Sequence, residues 1–506
     1  MRFNVSNKQK EKTYNYEGAV AYSKSETLEL YSAVVTSSLS GDLYENAWDR
    51  LNRIIYLIDK VDPVFAAKLA IYAREEMHLR SIPLVLVAEL SRIHRGDELV
   101  KKATARVIQR ADEITELLAY YQLANSRSGE KKLNKLSKQL QKGIASAFNK
   151  FDEYQFAKYN RKTEVTLRDA LFLTHPKAAS DEQQLLFNKI VNDELEVPYT
   201  WEVELSQVGQ RPFTNPKNKA SAMTAKWEEL IDSGKLGYMA TLRNLRNFLE
   251  AGVQRSSIKK VAKLLGDPKQ VKRSKQLPFR FLSAYRELEK LKLNHATYLM
   301  NSLEKAVMAS AANIKGFGLD QRVLLAADVS GSMYSPVSYN SKVRCFDIGL
   351  VLSMLLASRS VNVVTGIFGS TWSEKNLSKK DILSNVRKLE RLAGSVGYST
   401  NGHRVIDALI ATKREMDKVM FFTDLQMWDS TYGGESLRAS WTKYKRYVAP
   451  KAKLYLFDLM GHGNTPLSLK GNDVYLIAGW SDKIFEVLDA IENGASAISC
   501  INQIEI

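Results

Sequence analysis

The chain is poor in the features that mark secreted and membrane proteins. Only two of its 506 residues are cysteines, Cys345 and Cys500, which excludes a fold stapled by several disulfides and indicates a reduced, intracellular protein. No apolar run reaches the length of a membrane span, and the polar opening MRFNVSNKQKEKTYNYEG lacks the apolar segment of a secretory signal. We therefore expect a cytoplasmic protein without a membrane partner.

Acidic residues are also in short supply, and the shortage is uneven. The chain has 73 Lys and Arg against 56 Asp and Glu, a net charge of +17. Residues 321–506 hold 22 basic and 18 acidic residues, so the first 320 residues carry +13 of the excess. A basic excess on one region indicates a polyanionic partner, because neutralised phosphates release counterions. Charge alone leaves a solvated basic surface without a ligand as an equal alternative.

The first part of the chain has the periodicity of helices. Apolar residues recur at three- and four-residue spacing in stretches such as ENAWDRLNRIIYLIDKV and ELVKKATARVIQRADEITELLAYY. Pro63 and Pro83 stand where a helix can begin, because the first turn tolerates proline. Successive helix pairs of about 40 residues indicate an all-α solenoid of the HEAT class. We predict that this domain occupies residues 1–315.

The pattern changes at residue 316. Short apolar runs, RVLLAAD, VNVVTGIFG, KVMFFTD and AKLYLFDLM, alternate with helical stretches such as HRVIDALIATKREM. Strands that alternate with helices predict a doubly wound α/β domain, with a mainly parallel sheet covered on both faces. Ligands of such sheets gather where the strands end. We assign residues 316–506 to this second domain.

Oxygen ligands follow the strands of the second domain. The first strand ends in the tight loop 328–332, where one carboxylate and two hydroxyls can curl around an ion. Thr400 and Asp424 lie on two other strand-end loops, and oxygen ligands suit a hard cation such as Mg²⁺ or Mn²⁺. The set resembles the metal-ion-dependent adhesion site of von Willebrand A domains, which have a Rossmann-like fold. The expected ligands of one divalent ion are Asp328, Ser330, Ser332, Thr400 and Asp424.

The chemistry expected of such a site is mild. Hydroxyl ligands are neutral, so a bound ion would keep positive charge and an open position for an external carboxylate or phosphate oxygen. A hydrolase would add a nucleophile or base, and the nearest candidates are Asp347 and His403. A helix-surface or structural carboxylate explains Asp347 better, and a helix-entry residue explains His403 better. An ion that only ties loops together is an equal alternative. We expect no enzymatic activity.

A basic segment of the helical region is the candidate RNA contact. The stretch KYNRKTEVTLRDALFLTHPKA contains basic residues, an aromatic ring and a histidine. Cationic side chains meet phosphates, while rings and guanidinium planes stack on unpaired bases. The candidates are Lys158, Arg161, Lys162, His175 and Lys177. On composition alone an ordinary exposed surface explains them better. The polar residues within 243–247 could line a groove.

Several blocks of the chain together resemble the TROVE module of the Ro ribonucleoprotein family. They run from about residue 14 to about residue 286, and the A-type domain follows in the order that the family has. The chain looks like a Ro protein of the bacterial type. The matching blocks are YNYEGAVAY, LRDALFLTHPKA, TWEVELS, KWEELIDSGKLGYMATLRNLRNFLEAGV and SKQLPFRFLSAYR.

The resemblance implies a fold and an RNA-binding role. It implies that the HEAT-like helices close into a ring, and that single-stranded 3′ ends of misfolded structured RNAs thread its hole. It also implies Y-type small RNAs on the basic outer surface, polynucleotide phosphorylase as a partner tethered through that RNA, and a bound divalent ion. By residue spacing it carries the hole-lining positions to Lys158, Lys162 and His175, with Arg161 adjacent. We expect a monomer.

Two other hypotheses remain beside RNA quality control. In the first, the protein is an interaction scaffold whose metal site captures an acidic residue of a partner, although a scaffold does not require the basic excess of the helical region. In the second, Asp328 and Asp424 serve a metal-dependent nuclease, against which the hydroxyl-rich shell argues.

Overall fold

The chain forms two compact units. The computed structural model describes residues 12–37, 43–127, 136–338, 341–428, 436–469 and 473–506. The helical unit comprises Arg53–Leu264, Leu291–Leu299 and Ile501–Ile506, and the sheet unit comprises Met1–Asn52, Leu265–Lys290 and Met300–Cys500. Both units are discontinuous in sequence, so they do not test the predicted division at residue 315. Within the described ranges, no helix combines the length and the apolar character that a membrane span requires.

Helices account for most of the described residues. In chain order they are α1 (Glu26–Val35), α2 (Ala47–Ile58), α3 (Pro63–Glu75), α4 (Ser81–Ile93), α5 (Leu99–Val107), α6 (Ala111–Arg127), α7 (Lys138–Phe148), α8 (Glu153–Tyr159), α9 (Leu167–Thr174), α10 (Asp181–Asn192), α11 (Trp201–Gly209), α12 (Pro216–Asp232), α13 (Tyr238–Glu250), α14 (Arg255–Gly266), α15 (Pro268–Ser274), α16 (Phe279–Glu289), α17 (Ala296–Ser310), α18 (Cys345–Arg359), α19 (Ile382–Leu392), α20 (His403–Ala411), α21 (Leu437–Tyr447), α22 (Ile484–Glu492) and α23 (Ala497–Asn502).

Local signals in the sequence explain where the helices of the helical unit begin. Asp62 caps α3 by accepting from the Val64 amide, and the proline at the next position completes this start. Asp152 and Thr166 begin α8 and α9 with reciprocal capping boxes. Helices pack against near neighbours in sequence, α3 on α4 and α5, α5 on α7, and α11 on α12. The predicted HEAT-like solenoid is confirmed as a run of paired helices.

A buried ion pair fixes the turn between α5 and α6. Arg74 on α3 pairs with Glu113 at 2.8 Å, and both side chains are almost fully buried. The other oxygen of Glu113 accepts from the backbone amides of Gln109 and Arg110, at 2.8 and 3.1 Å. Charge-assisted hydrogen bonds of this kind are geometrically specific. They hold the backbone of Arg110 in one place, which matters for the pocket described below.

The sheet unit contains the predicted doubly wound domain. Its strands are β1 (Lys12–Tyr14), β2 (Val20–Ser23), β3 (Val323–Asp328), β4 (Val363–Phe368), β5 (Trp372–Lys375), β6 (Lys418–Thr423), β7 (Lys453–Asp458), β8 (Asn464–Thr465) and β9 (Val474–Ala478). The main sheet has the order β5-β4-β3-β6-β7-β9, and every pairing is parallel except that of β5 with β4.

Helices cover both faces of this sheet. Helices α20 and α21 contribute Val405, Ile406, Leu409, Leu437 and Trp441 to one buried cluster with the alternate residues of β3, β6 and β7. Helix α18, which is buried over most of its length, packs against β3 and β6. The carboxyl ends of β3 and β6 are therefore neighbours at one edge of a closed core.

The N-terminal segment adds a second, smaller sheet. Strands β1 and β2 form an antiparallel hairpin, and β2 pairs with β8, in the order β1-β2-β8. Directly after β2, the ammonium group of Lys24 forms a fully buried ion pair with Asp458 at 2.6 Å. No pattern in the sequence predicts this pairing, because the partners are more than 400 residues apart.

Candidate functional site

A basic and aromatic pocket lies in the helical unit. It has a volume of about 610 Å³, and residues of α8, α11, α12 and α13 line it together with the turns that precede α6, α11 and α13. Five cationic side chains face it, Arg110, Lys158, Arg161, Lys235 and Arg243. Four aromatic rings do so as well, Tyr154, Tyr159, Tyr199 and Trp201. This composition is typical of a surface that binds unpaired nucleotides.

The cations of the pocket are largely uncompensated. Arg110 pairs with Asp112 at 3.0 Å. In the part of the chain that the structure describes, no ion pair joins an acidic side chain to Lys158, Arg161, Lys235 or Arg243. These four side chains are exposed. Their positive charge is therefore available to an external anion, and the phosphates of a nucleic acid are the anions that such a row of charges fits.

Cations lie over two of the tyrosine rings, and a buried indole supports Trp201. The Arg110 guanidinium lies 4.4 Å from the centre of the Tyr159 ring, and the Lys235 ammonium lies 5.1 Å from that of Tyr199. The indole of Trp201 stacks on the buried indole of Trp227, with ring centres 5.8 Å apart. Rings fixed in this way can offer a flat face to a base at little entropic cost.

Two of the five predicted RNA contacts, Lys158 and Arg161, line this pocket. Lys162 is exposed but is not among the lining residues. His175 ends α9 in a left-handed conformation with φ 47°, and its ring is exposed away from the lining set. Lys177 is likewise exposed outside it. Of the predicted segment, Lys158 and Arg161 therefore lie in the pocket, whereas Lys162, His175 and Lys177 lie elsewhere on the surface.

Most residues of the pocket come from outside the predicted segment. Lys235 and Arg243 belong to the block GKLGYMATLRN, and Trp201 belongs to TWEVELS. The polar stretch 243–247 is split, because Arg243 lines the pocket whereas Asn244 is buried and donates to the Ala240 carbonyl at 2.9 Å. The groove prediction thus holds for one residue of that stretch.

The predicted metal ligands lie on three adjacent loops of the sheet unit. All five, Asp328, Ser330, Ser332, Thr400 and Asp424, are buried. The first loop follows β3, and its Gly331 amide donates to the Tyr398 carbonyl at 2.8 Å, which joins it to the loop of Thr400. The Trp428 amide donates to the Thr400 carbonyl at 2.9 Å, which joins the second loop to that of Asp424.

Hydrogen bonds orient the side chains of this site. Asp328 accepts from the Ser330 amide at 2.9 Å through one oxygen and from the Thr423 hydroxyl at 2.6 Å through the other. The hydroxyls of Ser330 and Ser332 are 3.4 Å apart. Asp424 accepts from the Gln426 amide at 2.9 Å. The two carboxylates and three hydroxyls are thus buried on loops that hydrogen bonds join to one another.

The residues present fit a hard divalent cation. Burial raises the pKa of Asp328 above its ordinary value, and hydrogen bonds from Ser330 and Thr423 only partly oppose this. A cation would relieve that cost, and the donors are all oxygen atoms. Among the described residues, no group of three or more His, Cys, Asp or Glu side chains could hold a metal. A thiolate or imidazole centre is thereby absent from the described part.

The two candidates for a catalytic base lie in a buried ion pair and at the start of a helix. Arg286 on α16 donates to both oxygens of the buried Asp347, one of them at 2.6 Å, and also to Glu390 at 2.9 Å. Asp347 further accepts from the Arg344 amide at the start of α18. His403 is the first residue of α20 and is buried. Of the two interpretations of Asp347, the structural carboxylate is confirmed and the helix-surface carboxylate is wrong, because the side chain is buried in an ion pair. The interpretation of His403 as a helix-entry residue is confirmed.

Fold and sites together define a helical-repeat module with a basic pocket, joined in sequence to a von Willebrand A-type domain. Family models match accordingly: the TROVE domain over residues 7–212 and 193–343, and the Ro60 vWA domain over residues 322–491. The chain belongs to the TROVE-domain family of RNA-binding ribonucleoproteins, and the resemblance to Ro proteins is confirmed.

Individual relatives agree with this assignment. The chain is 25% identical over 340 residues to telomerase protein component 1 of Rattus norvegicus, a match that covers 52% of this chain and 12% of that protein. It is 27% identical over 309 residues to the Mus musculus protein, with 46% and 11% covered. The chain thus spans about an eighth of the length of these curated relatives.

A solved structure shows the same fold. The crystal structure of the Deinococcus radiodurans RO (RSR) protein matches with a TM-score of 0.56 and covers 93% of this chain and 100% of that one. The identity is 17%, so this likeness carries the fold alone.

Proposed function

We propose that the pocket of the helical unit binds single-stranded RNA. The observation that carries the proposal is the meeting of four unpaired cations and four rings in one cavity. Lysine and arginine contact phosphates without regard to sequence, whereas a ring can stack on a base only when that base is unpaired. The combination favours an unpaired end or loop over a duplex.

The RNA is proposed to be the single-stranded 3′ end of a misfolded structured RNA, in RNA quality control. Y-type small RNAs would bind the basic surface elsewhere and link the protein to polynucleotide phosphorylase. The family resemblance and the basic excess of the first 320 residues support this role. Threading through a ring, a cytoplasmic location and a monomeric state stay predictions. No bond is made or broken by this chain in the proposed role.

The test is binding of a structured RNA with and without a single-stranded 3′ tail. The variant Lys158→Ala/Arg161→Ala removes two pocket cations, and Lys162→Ala/Lys177→Ala removes two predicted cations outside the pocket. We expect the first variant alone to lose tail-dependent affinity, by about 1–3 kcal/mol if a stacked base leaves with the phosphates. If both variants lose the same tail-dependent affinity, RNA binds a general basic surface and the pocket has no special role.

The site on the sheet unit is proposed to hold Mg²⁺ or Mn²⁺ through Asp328, Ser330, Ser332, Thr400 and Asp424. Its buried, oxygen-only donor set supports this. A bound ion would supply residual positive charge to an oxygen of a carboxylate or phosphate. Asp328→Ala is expected to abolish Mn²⁺ binding measured by loss of the free-ion electron paramagnetic resonance signal. A scaffold that captures an acidic partner is the alternative role of this site.

A further inference from the structure

One acidic side chain stands among the cations of the basic pocket. Of the described residues that line the pocket, Glu202 alone is acidic, and its side chain is exposed in the first turn of α11. A carboxylate repels phosphate, so a site that only held the RNA backbone would gain nothing from it. The helix start does not depend on it either, because Thr200 caps α11 and Glu204 is a second acid in the same turn.

The cations of the pocket leave Glu202 unpaired. Within the described ranges, no ion pair joins Glu202 to any of the four exposed cations that line the same pocket. Glu204, two residues further along, instead pairs with Lys226 at 3.1 Å and does not line the pocket. Both carboxylate oxygens of Glu202 are therefore open to a ligand that carries hydrogen-bond donors.

Aromatic rings lie beside this carboxylate. Trp201 precedes it on α11, and Tyr154 on α8 lines the same pocket with an exposed ring. In agreement with this placement, partial burial raises the pKa of the Tyr154 phenol, and the charge of Glu202 adds to the rise. The Lys158 ammonium lies 5.6 Å from the centre of the Tyr154 ring. Rings, a carboxylate and a cation correspond to the plane of a base, the edge of a base and a phosphate.

The four bases differ in what their edges offer to a carboxylate, which only accepts hydrogen bonds. Guanine presents two adjacent donors, N1–H and the N2 amino group, which match the two carboxylate oxygens. Adenine and cytosine each present one amino donor beside an unprotonated ring nitrogen. Uracil presents one N3–H between two carbonyl oxygens. Two parallel charge-assisted bonds are stronger and more specific than one, so guanine fits a free carboxylate best.

We propose that Glu202 makes the pocket selective for guanine. Its carboxylate accepts from N1–H and the N2 amino group of a guanine whose ring stacks in the pocket, while the cations hold the neighbouring phosphates. In a duplex the same edge is occupied by cytosine, so the contact itself requires an unpaired guanine. The guanine preference rests on the RNA binding proposed above and adds the base that the pocket selects.

The test measures the affinity of the full chain for one structured RNA that carries single-stranded 3′ tails of equal length. The tails are uridine alone, or uridine alternating with guanosine, inosine, adenosine or cytidine, in a lithium buffer that prevents guanine quadruplexes. Inosine is guanosine without the N2 amino group, so it removes a single donor. Wild type is expected to bind the guanosine tail about 5-fold or more above the inosine and uridine tails, the lower end for a bidentate contact to a base edge.

The variant Glu202→Gln should abolish this preference, because the amide replaces one acceptor oxygen with a donor. It should bind the uridine tail at least as well as wild type, since a negative charge has left the pocket. Glu204→Gln makes the same charge change in the same helical turn outside the pocket, and it should keep the preference. The proposal is overturned if the preference survives in Glu202→Gln, or if Glu204→Gln loses it equally.

The outcomes also separate this proposal from the one on which it rests. If wild type binds all five tails equally, and Lys158→Ala/Arg161→Ala still removes the tail-dependent affinity, the role of Glu202 is wrong and the pocket remains the RNA site. If no tail adds affinity in wild type, the pocket does not bind single-stranded RNA and the role of Glu202 falls with it. A circular dichroism spectrum unchanged by Glu202→Gln excludes unfolding as the cause of a lost preference.

Discussion

The two candidate sites are built in opposite ways. The pocket of the helical unit is cationic, and its Lys158, Arg161, Lys235 and Arg243 are exposed without acidic partners among the described residues. The site of the sheet unit is anionic and buried, and hydrogen bonds occupy both oxygens of Asp328. The ligand proposed for the first is a large, flexible polyanion, and the ligand proposed for the second is a small, hard cation.

This difference predicts that substitutions in the pocket change the affinity for RNA, whereas substitutions of buried charges change the stability of the fold. Exposed cations add little to the folded state, so their removal should change affinity and leave unfolding almost untouched. Buried charges are different, because an uncompensated partner is left in a low-dielectric interior when one member is removed. Substitutions in the sheet unit should therefore change stability first. The following predictions can break or sharpen this contrast.

The largest effect is expected at the ion pair that anchors the N-terminal hairpin. Lys24→Met would leave Asp458 buried without its cation, at a cost of about 3–5 kcal/mol. The measurement is hydrogen exchange of the amides of β2 and β8 in the full chain, which should become much faster. Lys235→Met, which removes an exposed pocket lysine, is the matched control and should leave exchange unchanged. If the amides of β2 and β8 exchange as slowly in Lys24→Met as in wild type, the expected difference in stability between the two sites is wrong.

The next effect compares two stacked tryptophans. Trp201 lines the pocket and is half-buried, whereas Trp227 beneath it is buried and does not line it. Trp201→Ala should lower the affinity for a single-stranded oligonucleotide by about 1–3 kcal/mol. Trp227→Ala should instead lower the melting temperature, because a cavity opens in the core. Fluorescence anisotropy measures the affinity of both variants for RNA, and calorimetry measures their melting temperatures. If Trp201→Ala binds RNA as well as wild type, Trp201 is not part of the interface.

The sequence predicted the metal loops better than the pocket, for a physical reason. Asp328, Ser330 and Ser332 lie within five residues at the end of β3, and Asp424 follows β6, the parallel neighbour of β3, so strand order brings these positions together. Thr400 lies on the loop before α20, and strand order does not place it. The pocket instead joins Arg110, Lys158 and Arg243 from separate helices. Periodicity tells which face of a helix is apolar but not which polar faces meet.

Two further features escaped the sequence altogether. His175 was predicted from residue spacing and from its place at a helix end, and its RNA contact stays a prediction, although the left-handed turn after α9 leaves its ring outside the pocket lining. The pairing of β2 with β8 depends on four residues, Tyr22, Ser23, Asn464 and Thr465, at opposite ends of the chain. Strands that short carry no alternation from which a pairing could be inferred. The predicted classes of both domains nevertheless hold, because long periodic segments determine them.

A smaller effect tests whether charge in the pocket meets phosphate. Arg243 lines the pocket, whereas Arg246 on the same helix pairs with Glu250 at 2.7 Å and does not line it. Arg243→Ala should reduce the slope of log affinity against log salt by about 0.7 for single-stranded RNA, the value for one lost phosphate contact. Arg246→Ala should leave the slope unchanged. An equal change in both slopes would mean that RNA senses only the overall charge of α13.

The smallest effect concerns a half-buried carboxylate of the sheet unit that belongs to neither site. Glu304 on α17 accepts from the amides of Leu383 and Ser384 at 3.0 and 2.8 Å, at the start of α19. Burial raises its pKa above the ordinary glutamate value, because desolvation outweighs these two hydrogen bonds. At a pH between the ordinary pKa of glutamate and the raised pKa of Glu304, the folded state binds more protons than the unfolded state. Stability should therefore fall as pH rises through that window.

Glu304→Gln should remove this slope, because the amide cannot ionise and its oxygen can still accept from the helix start. The measurement is the melting temperature against pH for wild type, Glu304→Gln and Glu116→Gln, an exposed control on α6. Wild type and the control should lose stability in parallel as pH rises, and Glu304→Gln should lose less. Because α19 begins on this carboxylate, a slope that survives in Glu304→Gln would assign the pH dependence to another acid of the sheet unit.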